Sequence, residues 1–96
     1  MRQQVNGVLF DTERLTATYL WLNDRAPDDP RYQRYIVYRI TDAVYIVWVR
    51  TGALRGHLNQ LLWLNREDLT TLYRATAQGD RRRSLRPVIQ QLQRAA

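Results

Sequence analysis

Two runs of β-branched and aromatic residues, Tyr32 to Ile40 and Val44 to Arg50, stand on either side of Thr41-Asp42-Ala43. No other feature of the chain restricts its fold as much. Runs of this composition, split by a short polar link, are expected to pair as a long antiparallel hairpin at the centre of a sheet. Side chains alternate between the two faces of a strand. Ile36, Tyr38 and Ile40 therefore share one face of the first strand and Tyr35 and Val37 the other, while the second strand sets Val44, Ile46 and Trp48 against Tyr45, Val47 and Val49. Both faces are apolar, whereas a strand pair exposed on one side would alternate apolar with polar. Such a hairpin needs cover on both sides. We expect helices on one face and a further layer or a second subunit on the other.

The flanking sequence supplies candidate layers. Asn6-Gly7 reads as a turn feeding a short strand at Val8-Leu9-Phe10, and Asp11 to Arg14 then changes the chain's direction. Leu15 to Leu22 holds Thr16, Thr18, Tyr19 and Trp21 and favours a strand, although Leu15, Thr18, Tyr19 and Leu22 also fit a helical stripe. Pro27, Asp28, Asp29 and Pro30 break regular structure and mark Asn23 to Arg31 as a surface loop. Gly52 to Gln60 reads as a loop with a possible helical turn, followed by a short strand at Leu61 to Leu64.

Asn65 is placed to cap a helix whose third position is Asp68, with Leu64 stapled to Leu69. Leu69, Leu72, Tyr73 and Thr76 give that helix its buried stripe, and Gly79 is placed to end it. Ser84 is placed to cap a last helix with Leu85, Val88, Ile89 and Leu92 on one face. The expected fold is α+β: an antiparallel sheet of four to five strands with two C-terminal helices packed on one face. The hairpins fall within 5–50 and the helices at about 66–78 and 84–95. At 96 residues the chain is expected to be a single domain, 1–96.

Composition narrows the chemistry. With no cysteine, disulfides, thiolate catalysis, iron–sulfur clusters and the usual structural zinc sites are excluded. No apolar run is long enough for a membrane span, and Met1-Arg2-Gln3-Gln4 opens onto no apolar secretory segment, so a cytoplasmic protein is expected. His57 is the only histidine, which leaves serine–histidine–aspartate and multi-histidine sites without members. Three close acidic pairs exist, Asp11 with Glu13, Asp28 with Asp29, and Glu67 with Asp68. Each has a structural explanation, as a turn or cap, a proline-flanked turn, and the first turn of a helix. We expect no catalytic residues, no metal and no cofactor.

The 15 basic residues are all arginine and give a formal charge of +6. Arginine-favouring codon usage accounts for the bias but not for the net charge. The guanidinium fork suits phosphate and carboxylate and stacks on aromatic rings. Two clusters follow. Arg81, Arg82, Arg83 and Arg86 lie before and at the start of the expected last helix, where an anion would relieve the mismatch with the helix dipole. Arg31, Arg34, Arg39, Arg50 and Arg55 interleave with Tyr32, Tyr35, Tyr38 and Trp48, the composition of a surface that stacks bases and neutralises phosphates. The alternative is that the aromatics are core and the arginines solubilise strand edges. The RNP signature is absent, and the two C-terminal helices also admit a helix-turn-helix reading with Gln90, Gln91, Gln93 and Arg94 outward.

Two segments, Asn6-Gly7-Val8-Leu9-Phe10-Asp11-Thr12-Glu13 and Leu64 to Tyr73, resemble the NGxxYDTE-like N-terminal hairpin and LxxEEAxxLY-like helix of small uncharacterised bacterial and phage-type proteins. Phe10 replaces the tyrosine, Leu69 the usual alanine, and Ser84 to Ala96 lies outside the pattern. The resemblance implies a compact mobile-element protein with no catalytic residues to carry over. Two functions are expected from these readings. One is a binding protein, a small regulator or inhibitor, that engages nucleic acid or a nucleoprotein complex through its arginines. The other is a protein–protein module, a homodimer or a binder of an acidic protein, whose interface is the aromatic face Tyr35, Tyr38, Tyr45 and Trp48.

Overall fold

The computed structural model describes residues 1–77. It is an α+β fold in which six strands precede one helix: β1 (Arg2–Val5), β2 (Val8–Asp11), β3 (Ala17–Leu22), β4 (Gln33–Arg39), β5 (Tyr45–Thr51), β6 (Asn59–Leu64) and α1 (Arg66–Ala77). β3 to β6 form an antiparallel meander in the order β3-β4-β5-β6, and β1 and β2 pair separately. The second expected helix, about 84–95, and the helix stop at Gly79 lie outside the described residues. No described helix is long and apolar enough to cross a membrane.

The central hairpin forms as its sequence requires. β4 and β5 pair from Gln33↔Thr51 to Arg39↔Tyr45. Thr41 closes the turn, its Oγ1 accepting from the N–H groups of Ala43 and Val44, both at 3.1 Å. One face of the sheet buries Tyr35, Val37, Val47, Val49, Leu62 and Leu64 against Leu69 and Leu72 of α1. Each such side chain contributes roughly 1.5–3 kcal/mol on full burial. Tyr19 packs against Tyr73 with ring centroids 4.6 Å apart and planes tilted by 60°, and its hydroxyl shares a 2.8 Å hydrogen bond with Thr76.

The helix begins where the sequence places it. Asn65 Oδ1 accepts from the N–H of Asp68 at 2.8 Å, and Asp68 Oδ2 accepts from the N–H of Asn65 at 3.2 Å, a reciprocal capping box.

The N-terminal hairpin covers one end of the other face. Asn6 and Gly7 take positive φ values of 50° and 78°, the geometry of a two-residue turn in register with right-twisted strands. The β2 strand of this hairpin is legible in the sequence and β1 is not, because Arg2-Gln3-Gln4 carries no β-forming residue. Phe10 packs with Ile46 and Leu61, and Met1, Val5, Leu15 and Trp63 close around them. Gln3 reaches the outer edge of β6: its Oε1 accepts from the N–H of Leu61 at 2.9 Å, and its Nε2 donates to the Leu61 carbonyl at 3.3 Å.

Two expected boundaries shift. Leu15 and Thr16 fall before β3, and the strand carries an irregularity between Ala17 and Tyr19. β6 starts at Asn59 rather than Leu61, because Asn59 and Gln60 pair with Arg50 and Val49.

The loop from Asn23 is fixed to the chain that follows β5. Asn23 is buried; its Nδ2 donates to the Arg31 carbonyl at 2.7 Å and its Oδ1 accepts from the Gln33 N–H at 3.1 Å. The Gly52 N–H donates to the Tyr32 carbonyl at 2.9 Å, and the Leu54 N–H to the Pro30 carbonyl at 2.8 Å. At Gly52 a Cβ would lie 2.3 Å from the Asp29 carbonyl oxygen and 2.7 Å from the Pro30 backbone. The two segments meet backbone to backbone, so nothing flexible is there to yield. Gly52→Ala is accordingly expected to destabilise the fold by about 1–3 kcal/mol, the usual cost of overpacking. Urea denaturation measures it, and a variant as stable as the parent would show that the two loops do not meet this closely.

Candidate binding face

The pairing registers arrange the hairpin-covered side of the sheet in three cross-strand rows. The first is Leu22, Arg34, Arg50 and Asn59; the second is Leu20, Ile36, Trp48 and Leu61; the third is Ala17, Tyr38, Ile46 and Trp63. Phe10 meets Trp63 edge-on with centroids 6.0 Å apart, and Tyr38 and Ile46 are buried, so the third row is covered except at the exposed Ala17. In the second, Leu61 is buried, Trp48 packs half-buried against the same cluster, Ile36 is half-buried and Leu20 is exposed. The first is open, with Leu22, Arg50 and Asn59 exposed and Arg34 half-buried.

The open rows hold an unusual charge arrangement. Arg34 and Arg50 are directly opposite each other on adjacent strands, a like-charge pairing that works against the sheet. Ion pairs tie Arg2 and Arg14 to Asp11, Arg25 and Arg31 to Asp29, and Arg39 to Asp42, but no ion pair reaches Arg34 or Arg50 among the described residues. Aromatic rings support them instead. The Arg34 guanidinium carbon lies 4.4 Å from the centroid of the Trp48 ring, and that of Arg50 lies 6.0 Å from the centroid of Tyr32. Trp48 is held in place by its Nε1–H, which donates to Asn59 Oδ1 at 2.8 Å. Nε and Nη2 of Arg34 are buried and have no hydrogen-bond partner among the described residues. Donors of that kind cost free energy until an acceptor reaches them.

A cleft of about 370 Å³ adjoins the first row, between Pro27–Pro30 and the segment from Thr51 to Leu58, with Arg50 and Asn59 in its wall. His57, at φ 53°, lines it as well. Among the described residues no three His, Cys, Asp or Glu side chains gather as a metal site. Asp11 Oδ1 accepts from the Glu13 N–H at 3.1 Å, and Glu67 and Asp68 fall in the first turn of α1.

The residues singled out in the sequence divide between locations. Arg34, Arg50 and Trp48 come together. Arg39 lies on the α1 side of the sheet and pairs with Asp42 at the turn. Arg55 falls in the 3₁₀ turn Ala53–Arg55. Arg81, Arg82, Arg83 and Arg86 lie outside the described residues. Of the expected aromatic face, Tyr35 is fully buried against Trp21 under α1 and Tyr38 is buried beneath the hairpin. Neither ring offers a surface: Tyr35 is part of the core under α1, and Tyr38 is only 5% exposed. Burial also pushes the Tyr38 phenol above its ordinary pKa. Tyr45 is half-buried on the α1 side, where its hydroxyl donates to the Asp42 carbonyl at 3.3 Å. Leu20, Leu22, Ile36, Asn59 and Tyr32 join the face through strand register and ring placement.

Compared with known proteins, the chain matches no family model, and no curated protein or solved structure matches it.

One wall of the cleft depends on Asp29. Its Oδ1 accepts from the Arg31 N–H at 2.8 Å and Nε–H at 3.2 Å, and its Oδ2 accepts from Arg31 Nη2 at 3.3 Å. The side-chain hydrogen bonds from Arg31, and then its backbone N–H, hold the carboxyl below the ordinary aspartate pKa. A carboxyl depressed by folding contributes stability above its unfolded pKa and loses it as pH falls through the folded value. In a carbon-detected NMR titration Asp29 is expected to have its midpoint below the ordinary aspartate value, and Arg31→Ala to raise it. A midpoint at or above that value would remove Arg31 as the anchor of this loop.

Proposed function

We propose that the chain is a non-enzymatic, cytoplasmic binding protein that engages nucleic acid, alone or within a nucleoprotein complex, through the row Arg34, Trp48 and Arg50. The observation that carries this reading is the opposed arginine pair, which has no carboxylate partner among the described residues and rests on aromatic rings. A phosphate beside the two guanidiniums offsets their repulsion. Beside the half-buried Arg34, the exposed Arg50 side chain and the half-buried Trp48 ring present cationic and aromatic surface that bases and phosphates can meet. Single-stranded nucleic acid suits a flat, open sheet of this kind, since its bases are free to leave the strand and stack. Leu20, Leu22 and Ile36 add apolar contact beside the arginines.

Charge along the chain agrees with this assignment. Residues 78–96 hold five arginines and one aspartate, so most of the +6 charge belongs to the segment containing Arg81, Arg82, Arg83 and Arg86. These supply long-range attraction to a phosphate backbone. The resemblance of Asn6–Glu13 and Leu64–Tyr73 to small mobile-element proteins favours a regulator or inhibitor within this class.

Fluorescence anisotropy of labelled single-stranded and duplex DNA and RNA, each at two salt concentrations, tests the proposal. Binding to single strands is expected to weaken with salt, and Arg34→Ala and Arg50→Ala each to weaken it about tenfold, the equivalent of roughly 1.4 kcal/mol. The salt slope should fall by roughly 0.7 for each phosphate contact removed. Arg74→Ala, on exposed helix surface, should leave binding unchanged. Absence of salt-sensitive binding to any of the four nucleic acids removes direct contact and leaves a protein partner.

A further inference from the structure

The two edges of the main sheet are treated differently. Gln3 bonds both backbone groups of Leu61 on the outer side of β6, whereas β3, the other edge, pairs with no further strand among the described residues. Natural sheets blunt a free edge with charge, proline or bulges, because an open one is a template for another strand. β3 has an irregularity between Ala17 and Tyr19 and then runs regularly to Leu22. From Leu15 to Leu22 there is no charged residue and no proline.

The register shows which groups the edge presents. The Asn23 N–H donates to the Gln33 carbonyl at 3.3 Å, and hydrogen-bonded pairs alternate along an antiparallel ladder. Trp21 and Tyr19 therefore bond to β4, and the N–H and C=O groups of Leu20 and Leu22 point away from the sheet. Their side chains, 57% and 40% exposed, are among the large exposed hydrophobic side chains and lie on the arginine face.

We infer that β3 is a dimerisation edge and that its occupant is the β3 strand of a second copy, paired antiparallel about a two-fold axis perpendicular to the sheet. An identical strand matches the edge in length and in hydrogen-bonding pattern. Centred on Trp21, the pairing sets Leu20 against Leu22 twice and stays within the regular part of the strand. The charge pattern favours a copy over an acidic partner: a positively charged chain meets itself most easily where it carries no charge, and an acidic segment would be drawn to the arginines instead. With Gln3 bonded to Leu61 at the middle of the β6 edge, β3 is the edge left open among the described residues, and a two-fold pairing there closes at two. The product is a continuous eight-stranded sheet with both copies' arginine rows on one side. The pairing does not depend on the nucleic-acid reading and is measured without nucleic acid.

Sedimentation velocity of the full chain across the micromolar range is expected to show a species of twice the 11.5 kDa chain mass. Leu20→Lys should shift it to monomer by at least tenfold in dissociation constant, while Leu54→Lys, at an exposed leucine in the turn between β5 and β6, should leave the dimer intact. Hydrogen exchange on the unaltered chain supplies a second readout that does not require any variant to fold: the Leu20 and Leu22 amides should become protected as concentration rises. A monomer at all concentrations overturns the inference, as does a dimer indifferent to Leu20→Lys. So does a monomer with both amides protected, which would assign the edge to residues 78–96 of the same chain.

Discussion

The β4–β5 ladder is apolar on both faces, and most of the architecture follows from the need to cover it twice. Tyr35, Val37, Val47 and Val49 are sealed under α1, with Leu69 and Leu72 set over them by a capping box that fixes where the helix begins. Tyr38 and Ile46 are sealed from the opposite side, where Phe10 and Thr12 of the N-terminal segment are also buried. A chain of this size has too little sequence to wrap a sheet in two full layers of helix. Among the described residues the cover is one helix and one short hairpin.

The two covers are unequal, and the difference in length locates the candidate site. Seven-residue strands such as β4 and β5 span roughly 23 Å, while the four-residue strands of the N-terminal hairpin span roughly 13 Å. The hairpin therefore covers the end that holds Tyr38 and Ile46 and stops short of Arg34 and Arg50. An uncovered sheet row filled with leucine or valine would be an aggregation hazard. Here two arginines occupy its centre, with aromatic rings beside them and no acidic partner among the described residues. The row left open is the one whose arginines have no ion pair among the described residues, and the proposed anion contact would act there.

Much of this was legible from residues alone. The central hairpin forms within about one residue of its expected limits at most ends, because β-branched and aromatic runs leave little alternative. Asn65 and Asp68 announce the start of α1 in the same way. The strand β1 was hidden because Arg2, Gln3 and Gln4 form a ladder by pairing with β2 and bracing β6, a tertiary effect with no local signature. The candidate site was half legible. Arg34, Arg50 and Trp48 are conspicuous as residue types, and parity along the strand already separates Arg34 from Arg39 and Tyr35. Which face stays open depends on how far the N-terminal hairpin reaches, and the part played by Leu20, Leu22 and Asn59 depends on register between strands distant in sequence.

Whether the Arg34–Trp48–Arg50 row is the surface that meets a ligand is decided by ¹H–¹⁵N NMR of the full chain titrated with a short single-stranded oligonucleotide. The Trp48 indole N–H, bonded to Asn59 and beneath Arg34, is the reporter. The account predicts that its resonance moves together with the backbone signals of Leu20, Ile36 and Arg50, while Leu72 and Tyr73 on α1 stay in place. A Trp48 indole signal that does not move while other parts of the chain respond would contradict it.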